Sequence, residues 1–221
     1  MIGSFGQVER LFEELDKATC KGITVYIIGG VPLLRRGMKA ATKDIDIVVA
    51  TKEEFQKAHS ALERIGFSTK TPGRRYTHMN LSQIFQRGDF RIDLFQEEVC
   101  GRFSLSENMK KRAEKVIDLD HITVFLCSNE DIFLFKTMTE RAGDIADCMS
   151  IASTQNPDWN IILEELQGQI RQSKQDIWIT WVGERLDVLA EMGVDMPIMD
   201  EVNRLREKFF EDFEKRHPSW K

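Results

Sequence analysis

The sequence has few of the residues and patterns that mark several protein classes. Its four cysteines are far apart and form no C-x-x-C pair, so we expect neither a zinc site nor a disulfide framework. Glycine (14) and proline (5) are scarce, which excludes collagen-like and low-complexity chains. No apolar run approaches the roughly 18 residues of a membrane span, and the first 15 residues lack the pattern of a signal peptide. We therefore expect a cytoplasmic protein with reduced thiols and no membrane partner.

The composition is that of a globular protein. Apolar residues make up 42% of the 221 residues, enough for a hydrophobic core, and the length suits one large domain or two small ones. The 31 basic and 36 acidic side chains give a net charge of −5, so the chain is no general binder of polyanions. A local basic patch could still hold a nucleotide or a nucleic acid.

The hydrophobic pattern predicts an α/β fold with a mixed sheet and flanking helices over residues 1–127, and a helical region over residues 128–221. Strands are predicted at Ile23–Ile28, 43–49, Phe90–Gln96, within 74–85, and as two short stretches within 116–126. Helices are predicted at 3–21, 31–36 and 51–65 in the first region, and at 128–152, 159–172, 176–192 and 199–215 in the second.

Two aspartates stand two residues apart in the second predicted strand. Because side chains two apart in a strand face the same side, Asp44 and Asp46 are expected to point one way while Ile45 and Ile47 point to the core. Neighbouring carboxylates repel unless a cation lies between them, so the pair is a candidate metal site. The alternative is an exposed sheet face with solvated acids.

A third aspartate, Asp93, lies in the apolar strand Phe90–Gln96. If the two strands are neighbours, three carboxylates converge, which suits two hard cations about 3.5–4 Å apart. The alternative is a structural ion pair of Asp93 with Arg91 or Lys43.

The pair Gly29-Gly30 joins the first strand to a short helix. Bare backbone amides and a helix N-terminus both favour phosphate oxygens, although a tight strand-to-helix turn needs the same residues. Neither G-x-G-x-x-G nor G-x-x-x-x-G-K-[ST] occurs, so the common dinucleotide and P-loop motifs are missing.

The order of these elements resembles the DNA polymerase β-like nucleotidyltransferase superfamily. Its signature is an apolar strand, Gly-Gly or Gly-Ser, a helix, a D-x-D strand and a later strand with one acidic residue. These parts correspond to Ile27-Ile28-Gly29-Gly30, to Asp44-Ile45-Asp46 and to Ile92-Asp93-Leu94. The resemblance spans about residues 23–95 and implies a nucleotidyltransferase-like sheet.

Residues 128–147 resemble one branch of that superfamily, the small standalone members that include abortive-infection-type toxin nucleotidyltransferases. Ser128 to Lys136, followed by Arg141, Asp144 and Asp147, is similar to the helix after the core in that branch. The resemblance implies that Lys136 and Asp144 approach the nucleotide and that an antitoxin partner is a candidate. The alternative is a salt-bridged helix face.

The resemblance also implies a reaction. A nucleoside monophosphate passes from an NTP such as ATP to a hydroxyl acceptor, which is an RNA end, a protein or a small molecule, and pyrophosphate leaves. Asp44 and Asp46 would hold two Mg²⁺ (or Mn²⁺) ions, and Asp93 would bind the catalytic ion and help to draw the acceptor proton. The implied contacts to the triphosphate come from Gly29, Gly30, Arg35 and Lys136.

Two basic stretches are candidate acceptor contacts. The first, Arg74, Arg75, Tyr76 and His78, could stack on an RNA end and bind its phosphates, or could be a solvated strand edge. A second cluster leaves the same two alternatives and comprises Lys110, Lys111, Arg112 and Lys115.

Two other functions stay open. A D-x-D pair can hold Mn²⁺ for a sugar-nucleotide glycosyltransferase, in which the Gly-Gly helix would have no role. A non-enzymatic module that binds a partner through the helical region needs no metal. The tryptophans of that region could form such an interface, although we expect Trp159, Trp178 and Trp181, unlike Trp220, to fill its core.

Overall fold

The computed structural model describes residues 1–70, 83–101, 103–139 and 141–217. The chain divides into two compact units, Met1–Ser128 and Asn129–Lys221. Within the described ranges, no helix is both long enough and apolar enough to cross a membrane.

The first unit is built on a seven-stranded mixed sheet. Its strands are β1 (Ile23–Ile28), β2 (Ile45–Val49), β3 (Ser68–Lys70), β4 (Gln83–Arg87), β5 (Phe90–Gln96), β8 (Glu114–Asp118) and β9 (Ile122–Leu126). They lie in the order β3-β4-β5-β2-β1-β9-β8. The pairs β2–β5 and β1–β9 are parallel, and the other neighbours are antiparallel. A separate two-stranded ladder is formed by β6 (Glu98–Cys100) and β7 (Phe103–Ser104).

In the described part of the first unit, four helices accompany the sheet: α1 (Phe5–Lys17), α2 (Gly30–Arg35), α3 (Lys52–Arg64) and α4 (Glu107–Arg112). Apolar residues at helical spacing on α1 and α3 join alternate residues of β1, β2, β5 and β9 in one core. Thr51 and Glu54 form the expected capping box at the start of α3, so the side chain of each satisfies a backbone N–H of the other. One face of the central strands is therefore apolar, and the other carries Asp46 and Asp93 beside buried apolar residues such as Val48 and Phe95.

The second unit contains α5 (Asn129–Thr137), α6 (Ala142–Gln155), α7 (Trp159–Ser173), α8 (Trp178–Glu191) and α9 (Met199–Arg216). Its central helix is α5, which contacts α6, α7 and α8 and has seven successive buried residues from Asp131 to Thr137. A mixed sheet with helices, followed by a helical region, confirms the predicted fold class.

Three predicted details are wrong. The strand predicted at 43–49 begins at Ile45, so Asp44 precedes it. The single helix predicted at 128–152 is two helices, α5 and α6. Trp159 and Trp178 are buried as expected, but Trp181 is 45% exposed, whereas Trp220 lies outside the described residues. The short elements β3, β6, β7 and α4 carry too few apolar residues to be predicted from periodicity.

Candidate active site

Asp46 and Asp93 lie opposite each other on the parallel strands β2 and β5. Residues in register on neighbouring strands are about 4.8 Å apart and face the same side of a sheet. Asp93 is 2% exposed and Asp46 is half-buried. Their flanking residues Ile45, Ile47 and Ile92 face the core of the first unit. The strands β2 and β5 are therefore neighbours, and this pairing brings two of the three predicted carboxylates, Asp46 and Asp93, together.

Asp44 lies in the segment that leads into β2 and is half-buried. Because it is outside the strand, the alternation of strand side chains does not determine where its carboxylate points. Continuing the register of Ile45 opposite Ile92 places Asp44 beside Arg91 along the two chains.

Gly29 comes directly after β1, whose last residue, Ile28, pairs with Asp46 on β2. Its φ of 71° is in the region that L-residues rarely adopt, and a Cβ at this position would overlap the carboxylate of Asp46. The glycine therefore leaves the space in which Asp46 lies.

The next glycine, Gly30, faces a different neighbour. A Cβ here would overlap the Thr42 hydroxyl. Thr42 is buried and exchanges two backbone hydrogen bonds with Ile2, at 2.8 and 2.9 Å, so it has little freedom to move. Sequence reasoning missed Thr42, because a lone threonine before a D-x-D pair carries no signal of a contact with a distant glycine.

Arg91 and Asp93 form a two-pronged ion pair. The Nε and one terminal nitrogen of Arg91 each donate to one oxygen of Asp93, both at 2.7 Å. The Arg91 side chain is 28% exposed and that of Asp93 3% exposed. The ion pair that the sequence left as an alternative to a metal site is thus present at the same carboxylate.

Arg35, at the end of α2, and Arg36, directly after it, both contact other residues of the first unit. Arg35 contacts Glu114 at 2.9 Å and its guanidinium lies 5.1 Å from the centre of the Phe5 ring. Arg36 donates to the carbonyl of Cys127 at 2.8 Å. Sequence reasoning singled out Arg35 and missed Arg36, whose partner is 91 residues away.

Lys136 and Asp144, both predicted to contact the nucleotide, contact each other in the second unit. The Lys136 ammonium lies 2.8 Å from Asp144 and 2.6 Å from Asp147. Asp144 also accepts hydrogen bonds from Thr139 and from Arg141. On a continuous helix, residues eight apart would be about 12 Å apart along the axis. The break between α5 and α6 brings this network together.

The charges of this network outweigh the effect of burial. Burial lowers the pKa of Lys136, but the charges of Asp144 and Asp147 and their hydrogen bonds hold it above the ordinary lysine value. Burial raises the pKa of Asp144, but the charge and hydrogen bonds of Lys136 and Thr139 hold it below the ordinary aspartate value. Both groups are therefore ionised near neutral pH.

The two basic stretches differ in what the structure describes. Arg74, Arg75, Tyr76 and His78 lie outside the described residues. In the second cluster, Lys110 contacts Glu107 at 2.7 Å and Lys115 contacts Asp118 at 2.7 Å. These two lysines lie beside acids of their own segment.

The donor chemistry at the sheet suits a hard divalent cation. Mg²⁺ prefers carboxylate oxygens and is commonly held by one or two of them together with substrate phosphates. Asp46 and Asp93 supply that number, with Asp44 nearby in the chain. Among the described residues, no three His, Cys, Asp or Glu side chains are grouped closely enough to hold an ion by themselves. The arrangement fits an ion shared with a phosphate better than an all-protein cage.

Comparison with known proteins identifies the family. Residues 5–181 match the family described as "Nucleotidyltransferase of unknown function (DUF6036)", so the chain belongs to this nucleotidyltransferase family. No protein with curated function matches the sequence. Among solved structures, the chain is similar to ANT(2")-Ia, whose crystal structure is in complex with adenylyl-2"-tobramycin. The two chains share 12% sequence identity, and the TM-score is 0.41. That match covers 83% of this chain and 99% of the other.

Proposed function

We propose that this protein transfers a nucleoside monophosphate from an NTP to a hydroxyl acceptor. The observation that carries the proposal is the in-register pair of Asp46 and Asp93, next to the Gly29 turn, in a chain that belongs to a nucleotidyltransferase family. A bond forms between the acceptor oxygen and the α-phosphorus, and the bond to the β-phosphate oxygen breaks. Its electron pair leaves with pyrophosphate.

The carboxylates would act on the two ends of this reaction. Mg²⁺ or Mn²⁺ held by Asp46 and Asp93, with Asp44 as a further ligand, supplies positive charge to the phosphate oxygens. Asp93 is the candidate acceptor for the hydroxyl proton, as the resemblance implies, and Arg91 would have to release one of its two oxygens for that role. The bare backbone of Gly29 and Gly30 is the candidate contact for the triphosphate.

Arg35 is a further candidate contact for the triphosphate, because leaving its present ion pair would cost little stability. Its ion pair with Glu114 is between side chains 35% and 49% exposed, and such pairs contribute little to stability. Lys136 already contacts two carboxylates, so we assign it first to holding α5 and α6 together. The nucleotide contacts of Lys136 and Asp144 stay predictions.

The test is a labelling experiment with two positions of label. The protein is incubated with Mg²⁺ and each NTP labelled at the α- or the γ-phosphate, together with cellular RNA, protein and small-molecule fractions. Label from the α-position alone should reach one fraction, with release of pyrophosphate. Asp46→Asn, if folded, should abolish that transfer.

The competing functions give other outcomes. Transfer of sugar from a nucleotide sugar, with no transfer from any NTP, would support the glycosyltransferase alternative. A folded protein that binds neither NTP nor metal would support the non-enzymatic module. Either result would overturn the proposal.

A further inference from the structure

The in-register pair of Asp46 and Asp93 poses an electrostatic problem that the fold must solve. Two carboxylates on adjacent strands repel each other, and the side chain of Asp93 is only 3% exposed, so water screens it poorly. A buried carboxylate needs an opposite charge close by. Arg91 supplies that charge to both oxygens of Asp93.

Arg91 and a divalent cation would therefore both neutralise the negative charge of Asp93. The guanidinium contacts both Asp93 oxygens at 2.7 Å, and it lies on the sheet face that Asp93 and Asp46 share. A cation that uses Asp93 as a ligand must take an oxygen from Arg91 and must also tolerate its positive charge.

We propose that Arg91 is a built-in counter-cation that competes with the divalent metal for Asp93. It is a positioning residue: it keeps the carboxylate pair stable without metal and raises the metal concentration that is needed to recruit Asp93. This inference rests on the proposed function for the identity of the metal site, but it concerns binding and stability rather than transfer.

The change in metal affinity on removing Arg91 can be estimated from the proton, which is the simplest cation that binds a carboxylate. A neighbouring positive charge changes the affinity of a carboxylate for a proton by about ten- to a thousandfold. A divalent ion carries twice the charge of a proton. Removing the Arg91 charge should therefore tighten metal binding by at least about tenfold.

The experiment titrates Mn²⁺ alone, without nucleotide, into wild type and Arg91→Gln by calorimetry, and records melting curves in EDTA and in Mn²⁺. We expect Arg91→Gln to bind Mn²⁺ at least about tenfold more tightly. Its melting temperature should be lower than that of wild type in EDTA and should largely recover in Mn²⁺. Arg91→Lys keeps the charge but loses the two-pronged contact, so it should lie between wild type and Arg91→Gln in both measurements.

A matched control is available on the neighbouring strand. Arg87 forms a similar two-pronged pair with Glu14, at 2.6 and 2.7 Å, and its side chain is 30% exposed. Arg87→Gln should lower the melting temperature equally in EDTA and in Mn²⁺ and should leave Mn²⁺ affinity unchanged. Equal behaviour of the two glutamine variants would overturn the proposal.

A double variant tests whether Arg91 acts through Asp93. In an Asp93→Asn background, Arg91→Gln should no longer tighten Mn²⁺ binding. Weaker Mn²⁺ binding by Arg91→Gln in the otherwise wild-type protein would mean that Arg91 supports the metal, and would overturn the competition. Tighter Mn²⁺ binding by Arg91→Gln, in a protein that transfers no nucleotide to any acceptor, would support the counter-cation and reject the proposed reaction.

Discussion

The carboxylate of Asp46 lies where a side chain at Gly29 would have to be. The two residues are 17 positions apart in the chain, and the antiparallel pairing of β1 and β2 brings them together. Gly-Gly and D-x-D are therefore parts of one structural unit, in which the turn after β1 makes room for an acid on β2.

This contact predicts the effect of Gly29→Ala. The variant must hold an L-residue at a φ of 71° and must also displace the Asp46 carboxylate. The backbone term alone costs about 1–3 kcal/mol. We expect a lower melting temperature together with weaker binding of NTP in the presence of Mg²⁺, measured by calorimetry on the folded fraction.

Gly37→Ala is the control for the backbone term. Gly37 has a φ of 75°, and a Cβ there would have no other described residue within 4 Å apart from its chain neighbours. It should lower the melting temperature without changing NTP binding. If Gly29→Ala also leaves NTP binding unchanged, the position of Asp46 does not matter to the site.

Asp93→Asn should damage both stability and turnover. Asparagine keeps the shape but removes the charge that Arg91 binds, so the melting temperature should fall. If Asp93 accepts the acceptor proton, single-turnover transfer per folded molecule should fall by at least about 100-fold. Binding of NTP with Mg²⁺ should persist, because Asp46 and Asp44 remain.

Glu14→Gln separates these two effects. It removes the charge from a second two-pronged arginine pair in the first unit, Arg87–Glu14, and leaves the aspartates untouched. This variant should lose stability and keep the transfer rate. A similar profile for Asp93→Asn, with near-normal transfer in a destabilised protein, would restrict Asp93 to a structural role.

The sequence predicts most accurately the elements whose limits depend on local composition. The strands β1 and β5 have the predicted limits, because each is a compact apolar run with turn residues at its ends. β2 starts two residues later than predicted, since Asp44 continues the alternating pattern although it lies outside the strand.

Contacts between segments that are distant in the sequence could not be predicted from it. That Asp93 faces Asp46 depends on β5 pairing with β2, and periodicity within one strand carries no information on its neighbour. The Thr42–Gly30 contact and the Arg36–Cys127 hydrogen bond are unpredictable for the same reason.

The break between α5 and α6 was missed because the sequence there keeps helical spacing. Polar contacts accompany the break: the Thr137 hydroxyl donates to the carbonyl of Leu134 at 2.7 Å, and Lys136 contacts two acids further along the chain. Local side-chain hydrogen bonds compete with a continuous helix, and here the ion network stabilises the bent path.

Lys136→Met is expected to be strongly destabilising. It leaves Asp144 and Asp147 without the ammonium that lies between them, and removing one partner from a buried ion pair costs about 3–5 kcal/mol. All four tryptophans lie between residues 159 and 220, so their fluorescence during urea unfolding reports on the second unit. Lys215→Met, at a side chain 70% exposed beside Asp212, is the control and should unfold like wild type.

The destabilisation by Lys136→Met should depend on pH in a defined way. Burial raises the pKa of Asp144, but Lys136 and Thr139 hold it below the ordinary value, so its stabilising contribution is present above about pH 4 and disappears as the pH falls further. Burial lowers the pKa of Lys136, but its acidic partners hold it above the ordinary value, so its contribution is present below about pH 10 and disappears at higher pH. In the variant, burial without Lys136 raises the pKa of the carboxylates, so the difference in the free energy of unfolding between wild type and variant should be largest from neutral pH to about pH 9 and should shrink on the acid side as the carboxylates are protonated. A difference that stays constant or grows down to about pH 3 would show that the cost of the substitution comes from packing of the lysine stem rather than from its charge.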